Sequence, residues 1–241
     1  MKRFLFLLLL SSCVTPPAPI PMRSVTDAYV GNAPAKCLVI FLPGAGDHAE
    51  HFTREGFVGA LRERKLSVDI ISTDATLGYY LRGGIIERLE EDVVGPTRGK
   101  YSETWFIGPS MGGHGSLLFP SRKPGSATGV FALAPFLGNG VPDEIEKAGG
   151  LKKWSAGEGG GYERELWAWL QKVLVQGEAG PEIWMGFGTA DRLAKTDEVM
   201  AAAVAPDHVF RAEGGAHNWK TWRGLFEQFL ERSSFAQRCA P

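Results

Sequence analysis

The chain has 241 residues, of which 44% are hydrophobic, 22% charged and 11% aromatic, and its 26 basic and 27 acidic residues leave a formal net charge of −1. Those fractions exclude wholesale disorder, collagen-like repetition and multispan membrane architecture, and the balanced charge offers no basic field for nucleic acid. The length suits one large domain with a substantial core.

At the amino end, Lys2 and Arg3 precede an apolar run over residues 4–10. That is the charge-then-apolar layout of a secretory signal, too short to span a bilayer as a mature helix. Leu10-Ser11-Ser12-Cys13 follows and resembles the lipobox of bacterial lipoproteins. The resemblance implies cleavage before Cys13, lipidation of its thiol, and an exported envelope protein held to a membrane by lipid alone, facing the periplasm or exterior. The alternatives are an ordinary secreted protein, or a buried apolar strand before a free cysteine. Residues 15–22, rich in proline, read as an extended tether. The expected division is therefore a signal peptide over 1–12, a lipidated cysteine and tether over 13–23, and a folded domain over 24–241.

In that domain, strands are predicted at 36–42, 66–72, 103–108, 127–133, 182–187 and 207–211. Helices are predicted between them at about 49–64, 83–95, 111–120, 162–175, 193–203 and 219–232. The strands are continuously apolar rather than alternating, which indicates a sheet covered on both faces and built from parallel βαβ units. The fold class is α/β, a single domain with a mostly parallel sheet and helices on both faces, and ligands are expected at the carboxyl ends of its strands. The Gly-rich stretch 137–161 is too long for a simple connection and is a candidate lid.

Gly108-Pro109-Ser110-Met111-Gly112 lies between a predicted strand and a predicted helix. A sharp strand-to-helix turn there presents the Ser110 hydroxyl above the sheet, and glycines flank it because a Cβ would clash with the turn. A serine hydroxyl is protonated at neutral pH and needs a base to attack a carbonyl. Asp191, after the strand 182–187, and His217, after the strand 207–211, fall in turns at the same sheet edge. His217 takes the proton of Ser110, and Asp191 orients the imidazole and stabilises its charged form. The oxyanion needs two backbone donors. Met111 supplies one, and Ala45 in Leu42-Pro43-Gly44-Ala45-Gly46-Asp47 supplies the other. The bland readings are that Ser110 and Asp191 merely cap helices, that His217 faces solvent, and that residues 43–47 form a plain turn.

The motifs LPGAG, GPSMGG, GTADR and GGAHNW, in that order and spacing, resemble the α/β-hydrolase superfamily over residues 34–235, in its serine esterase and lipase-like branch. Residues 79–95 also resemble the helix that many bacterial members carry before the elbow strand. The resemblance implies a serine hydrolase acting on a carboxylic ester or thioester through an acyl-enzyme, with no metal or organic cofactor and a small-molecule substrate. A peptidase or amidase with the same triad falls within that class. The reading from another class is a non-catalytic envelope lipoprotein that binds a ligand through the same fold. Two departures stand out: Pro43 where many esterases have histidine, and Pro109 before the serine, where a fixed φ and a missing N–H bear on the turn.

Asp47, His48, Glu50 and His51 could ligate a metal, but a substrate-facing or capping role suits them better at the start of a predicted helix. His114 is expected to pack against the sheet, and Trp219 to line the pocket beside His217. Cys37 and Cys239 are the two thiols left once Cys13 is lipidated. Cys37 opens a strand at the amino edge, and an antiparallel last helix brings the tail to that edge, so the pair can form a disulfide in an oxidising compartment. The alternative is two free thiols.

Overall fold

The apolar runs form the middle of a seven-stranded sheet in the order β1–β3–β2–β4–β5–β6–β7. The strands are β1 (Ser24–Asp27), β2 (Cys37–Phe41), β3 (Val68–Thr73), β4 (Glu103–Pro109), β5 (Gly129–Leu133), β6 (Glu182–Gly188) and β7 (Val209–Ala212). All pair in parallel except β1, which runs antiparallel to β3. The structure is a computed structural model that describes residues 17–157 and 160–241; the signal segment and Cys13 lie outside the described residues. The sequence predicts six of these strands. It gives no sign of β1, whose Ser-Val-Thr-Asp has no apolar run because it is a half-exposed edge.

Every side chain of β2 and β5 is buried, as covering both faces requires. The helices are α1 (Glu50–Arg54), α2 (Phe57–Glu63), α3 (Leu77–Leu81), α4 (Ile85–Leu89), α5 (Met111–Arg122), α6 (Val141–Ala148), α7 (Tyr162–Leu174), α8 (Ala194–Ala201), α9 (Trp219–Arg232) and α10 (Phe235–Arg238). Alternation along β4 serves the two layers in turn. Trp105 meets Phe229 of α9 with ring centres 5.5 Å apart, and Phe106 meets Phe119 of α5 at 5.2 Å. Phe131 stacks on Phe229 at 4.5 Å. Each such buried phenylalanine contributes about 1.5–3 kcal/mol over its exposed state.

Two predicted helices are broken by local geometry. Gly56, at φ 83°, splits the expected 49–64 helix into α1 and α2. The expected 83–95 helix is α-helical only through Leu89, widens into a π turn over Glu90–Val94 and tightens to 3-10 at Gly95–Thr97. A side chain at Gly95 would meet the Glu90 carbonyl at 2.7 Å, so glycine allows that change. The short helices α3 and α10 go unpredicted.

Two segments differ in character from the sequence reading. Residues 17–23, read as tether, are fastened to the domain. Tyr79 Oη donates to the Pro19 carbonyl at 2.5 Å, Met22 N–H donates to Asp92 at 2.8 Å, and the Met22 side chain is buried. Much of 137–157 is fixed as well. It holds α6, buries Leu151 and Trp154, and is pinned where Gln171 Nε2 donates to the carbonyls of Leu151 and Trp154 at 2.6 and 2.7 Å.

α9 starts at the carboxyl edge of the sheet and ends at the amino edge, where Cys239 is joined to Cys37 with 5.7 Å between their Cα atoms. The Ser67 N–H donates to the Cys239 carbonyl at 2.7 Å, and Arg238 pairs with Glu103 and Glu182. The tail is thus tied across the starts of four strands, β2, β3, β4 and β6.

Candidate active site

The strand order reverses between β2, whose chain continues to β3 on one side, and β4 on the other. Ligand sites of open α/β sheets lie in the crevice at such a switch point. Ser110 stands there, between the end of β4 and the start of α5, with φ 53° and ψ −117°. That region of backbone space costs a non-glycine residue on the order of 1–3 kcal/mol, so its neighbours must hold it. Ser110 N–H donates to the Leu133 carbonyl at 2.8 Å, and its own carbonyl accepts from Phe136 and His114, each at 3.0 Å. Pro109 closes the strand one residue earlier, and the Ser110 N–H makes the bond to β5 in its place. The flanking glycines are required. A Cβ on Gly112 would sit 1.9 Å from the Leu42 carbonyl oxygen, and one on Gly108 at 2.5 Å from the same atom.

The Ser110 side chain makes no capping hydrogen bond to α5. The bland reading of it as a helix cap therefore fails, and its hydroxyl is left at the positive end of a helix dipole. Met111 is the first residue of α5, so its N–H has no acceptor within the helix. The Gly44 loop lies alongside: a Cβ on Gly44 would be 3.6 Å from Ser110 Cβ. Gly44 to Asp47 is a tight turn, with Asp47 N–H donating to the Gly44 carbonyl at 3.1 Å and Gly46 at φ 87°. Ala45 occupies its second position, the glycine its third, as a type II turn demands.

Asp191 and His217 are brought together directly. His217 Nδ1 lies 2.9 and 2.8 Å from the two carboxylate oxygens of Asp191, whose side chain is fully buried. Asp191 Oδ1 also accepts from the Leu193 N–H at 2.8 Å, so it organises the entry to α8 as well. The two loops are laced to each other. Ala190 N–H donates to the Gly215 carbonyl at 3.0 Å, Gly214 N–H to Thr189 Oγ1 at 2.8 Å, and a Cβ on Gly188 would strike the Gly215 carbonyl at 2.0 Å. His217 Nε2 is buried without a hydrogen bond. That nitrogen makes no hydrogen bond to Ser110 Oγ.

Three features were not legible as such. Asp47 ties the Gly44–Asp47 turn to the histidine loop: its Oδ1 accepts from Trp219 Nε1 at 3.2 Å and lies 3.3 Å from His51 Nε2, while His51 stacks on Trp219 at 5.9 Å. Asp47, His51 and Trp219 therefore serve one another, and Trp219 is engaged there rather than on the pocket wall. Asp197 of α8 buries both carboxyl oxygens without a partner. Burial above all, then the charges of Asp191 and Glu198, raise its pKa well above the ordinary carboxylate value, which favours the neutral acid. No spacing rule marks that residue, because the pattern of α8 reads as an ordinary charged helix.

The third is a cavity of about 810 Å³ that begins at Met111 and is walled by α3, α4, α5 and the starts of α6 and α7. His114 lines it. Burial holds this imidazole's pKa down at about 4 although Nδ1 bonds the Phe136 carbonyl at 2.9 Å, so the ring is neutral near pH 7. Among the described residues, the one group of potential ligands close enough for a metal is Cys37, Glu103 and Cys239, and its two sulfurs are already joined.

The Esterase family model matches residues 85–232. Among solved structures, the chain is similar to S-formylglutathione hydrolase (FrmB) from Staphylococcus aureus, with TM-score 0.58 and 15% identity over 82% of this chain and 80% of that one. It is similar to Est1E from Butyrivibrio proteoclasticus, solved with ferulic acid bound, with TM-score 0.54 and 14% identity over 88% and 95% of the two chains. It is also similar to an S-formylglutathione hydrolase from Agrobacterium tumefaciens, with TM-score 0.53 and 12% identity over 94% and 99%. At these identities the likeness is one of fold. No sequence relative was found among curated proteins.

Proposed function

We infer the reaction from the premise that this chain belongs to the Esterase family and is a carboxylesterase-like enzyme, joined to the geometry at its switch point. Ser110 is the nucleophile, His217 the general base and acid, and Asp191 the residue that orients the imidazole. As Ser110 Oγ attacks an ester or thioester carbonyl, its proton passes to His217 Nε2, and Asp191 stabilises the imidazolium through Nδ1–H. The tetrahedral oxyanion is held by the N–H groups of Met111 and Ala45 at the amino end of α5. Each such donor is worth about 2.7–4 kcal/mol of barrier. His217 then protonates the departing alcohol or thiol, and water, deprotonated by the same nitrogen, releases the acid from Ser110.

The observation that carries this reading is the Asp191–His217 pair at 2.8 Å, on the same sheet edge as a serine held at φ 53° with no capping bond. A protein that only bound a ligand would have no use for that arrangement. The test is a set of kinetic measurements on p-nitrophenyl and thioester substrates. Ser110→Ala and His217→Ala are expected to lower kcat by about 10⁴-fold or more, and Asp191→Ala by less. A Ser110→Ala protein that keeps full activity would remove the mechanism, and folded wild type with no turnover of any ester would favour the binding role.

We also propose that the mature protein works outside the cytoplasm, lipidated at Cys13. The charged-then-apolar leader supports this, and so does the Cys37–Cys239 bond, since such bonds persist in oxidising compartments. Among the described residues no helix is long and apolar enough to cross a membrane.

A further inference from the structure

The cavity beside Met111 is shaped by one stripe of α5. Met111, His114, Leu118 and Arg122 all line it, so it follows the helix away from Ser110. From Met111 to Arg122 the helix rises roughly 16 Å, at about 1.5 Å per residue. The opposite wall is mostly apolar, with Leu77 and Leu81 of α3 and Ile85 and Ile86 of α4, beside Tyr80 and Glu87. Among the described residues only four large hydrophobic side chains are exposed, and two of them, Leu81 at 62% and Tyr162 at 56%, stand at this groove. Tyr162 faces Gly83 across the lip, where a Cβ would lie 3.5 Å from its hydroxyl.

Along α5 the groove's inner stretch, Met111, His114 and Leu118, carries no charge, while Glu87, Arg122, Lys123, Glu163 and Arg164 line its remainder. His114 is neutral near pH 7, as its burial dictates. The guanidinium groups at the mouth are engaged with other residues: Arg122 pairs with Glu165 and lies 5.7 Å over the Tyr162 ring, and Arg164 pairs with Glu144 at 2.7 Å. A charged ligand therefore has no ionic partner along Met111, His114 and Leu118, whereas an extended hydrocarbon has wall on both sides there. An extended chain advances about 1.3 Å per carbon for C–C bonds of about 1.5 Å, so the groove's length matches about twelve carbons.

We propose that this groove holds an unbranched acyl chain of about twelve carbons, so that the ester cleaved at Ser110 is a long-chain one. The proposal rests on the serine-hydrolase reading above. The acyl carbonyl sits at Met111 N–H, and the chain lies along His114 and Leu118 toward Arg122 and the exposed lip.

The test is kcat/KM of the full chain for p-nitrophenyl esters from two to sixteen acyl carbons, each below its micellar concentration. Burial of each methylene is worth up to about fourfold, and the expected result is a rise of at least tenfold from four to twelve carbons, levelling beyond. Leu118→Trp blocks the groove about two turns from Met111 and is expected to move the optimum to about eight carbons or fewer. Because Leu118 is buried, Ile86→Trp on the half-exposed wall provides a second block with the same expected direction. A profile that is flat or falls beyond four carbons in wild type, or an optimum unmoved in folded forms of both variants, overturns the groove assignment. Fluorophosphonate labelling of Ser110 separates the failures. Labelling with a flat profile rejects only the groove, whereas neither labelling nor turnover rejects the hydrolase reading and the groove with it.

Discussion

Loss of the Cys37–Cys239 bond is expected to weaken the fold while sparing the site. Both cysteines are fully buried, and the bond spans 202 residues of sequence. Burial means that a reductant reaches the sulfurs only when the chain opens, so the effect is read in the unfolding equilibrium. Closing a loop of that size removes chain entropy from the unfolded state worth up to about 5 kcal/mol, with measured bonds typically contributing about 2–4 kcal/mol. For a chain of this length each kcal/mol moves Tm by about 2–4 °C, so unfolding in reductant is expected about 4–20 °C lower than without it. The bond lies at the amino edge of the sheet, opposite Ser110 and His217, so ester turnover well below the transition should be unaffected by reduction. The assay is thermal unfolding with and without reductant, beside a thiol titration of the unreduced, denatured protein lacking Cys13. Two free thiols in that titration, or an unchanged Tm in reductant, would refute the reasoning.

Three further outcomes follow from contacts at the site. Gly112→Ala places a methyl 1.9 Å from the Leu42 carbonyl, a backbone clash expected to cost more than about 3 kcal/mol and to abolish turnover; a variant with wild-type Tm would show the elbow to be wrongly built. Asp47→Ala breaks the link between the Gly44–Asp47 turn and Trp219 and should lower kcat about tenfold with little change in KM, with partial rescue in Asp47→Asn, whose amide oxygen still accepts; equal losses in Ala and Asn would exclude this positioning role. Asp197 has a pKa raised on folding, chiefly by burial, so the folded state binds its proton more tightly and stability is lost as pH rises above the unfolded carboxylate value of about 3.9. Asp197→Asn removes that dependence, and its Tm relative to wild type should climb with pH from there; a gap that does not change with pH would count against a protonated Asp197.

What the sequence makes legible follows the range of the interactions involved. The buried strands β2 to β6 announce themselves because a sheet covered on both faces demands apolar runs, the edge strand β7 shows itself only through Val209 and Phe210, and Ser110, Asp191 and His217 stand out because each follows such a run in a turn that contains glycine. β1 escapes notice, since an edge strand at half exposure needs no apolar signature. The π turn at Glu90–Val94 looks like helix because its side-chain pattern is nearly helical. The fastening of residues 17–23 rests on backbone carbonyls meeting Tyr79 and Thr76, and proline composition says nothing about such partners. The long-range links escape for the same reason. Asp47 and Trp219 are 172 residues apart, and only the assembled sheet makes them neighbours. The groove beside Met111 takes its walls from five separate helices, so no single stretch encodes it.

The proposed nucleophilic role of Ser110 is tested most directly by treating the folded protein with a fluorophosphonate and mapping the adduct by peptide mass spectrometry. One phosphonyl group on Ser110, formed slowly in His217→Ala and absent in Ser110→Ala, is the expected result. An adduct on another residue, or none on folded protein that still hydrolyses esters, would contradict the assignment of Ser110 as nucleophile.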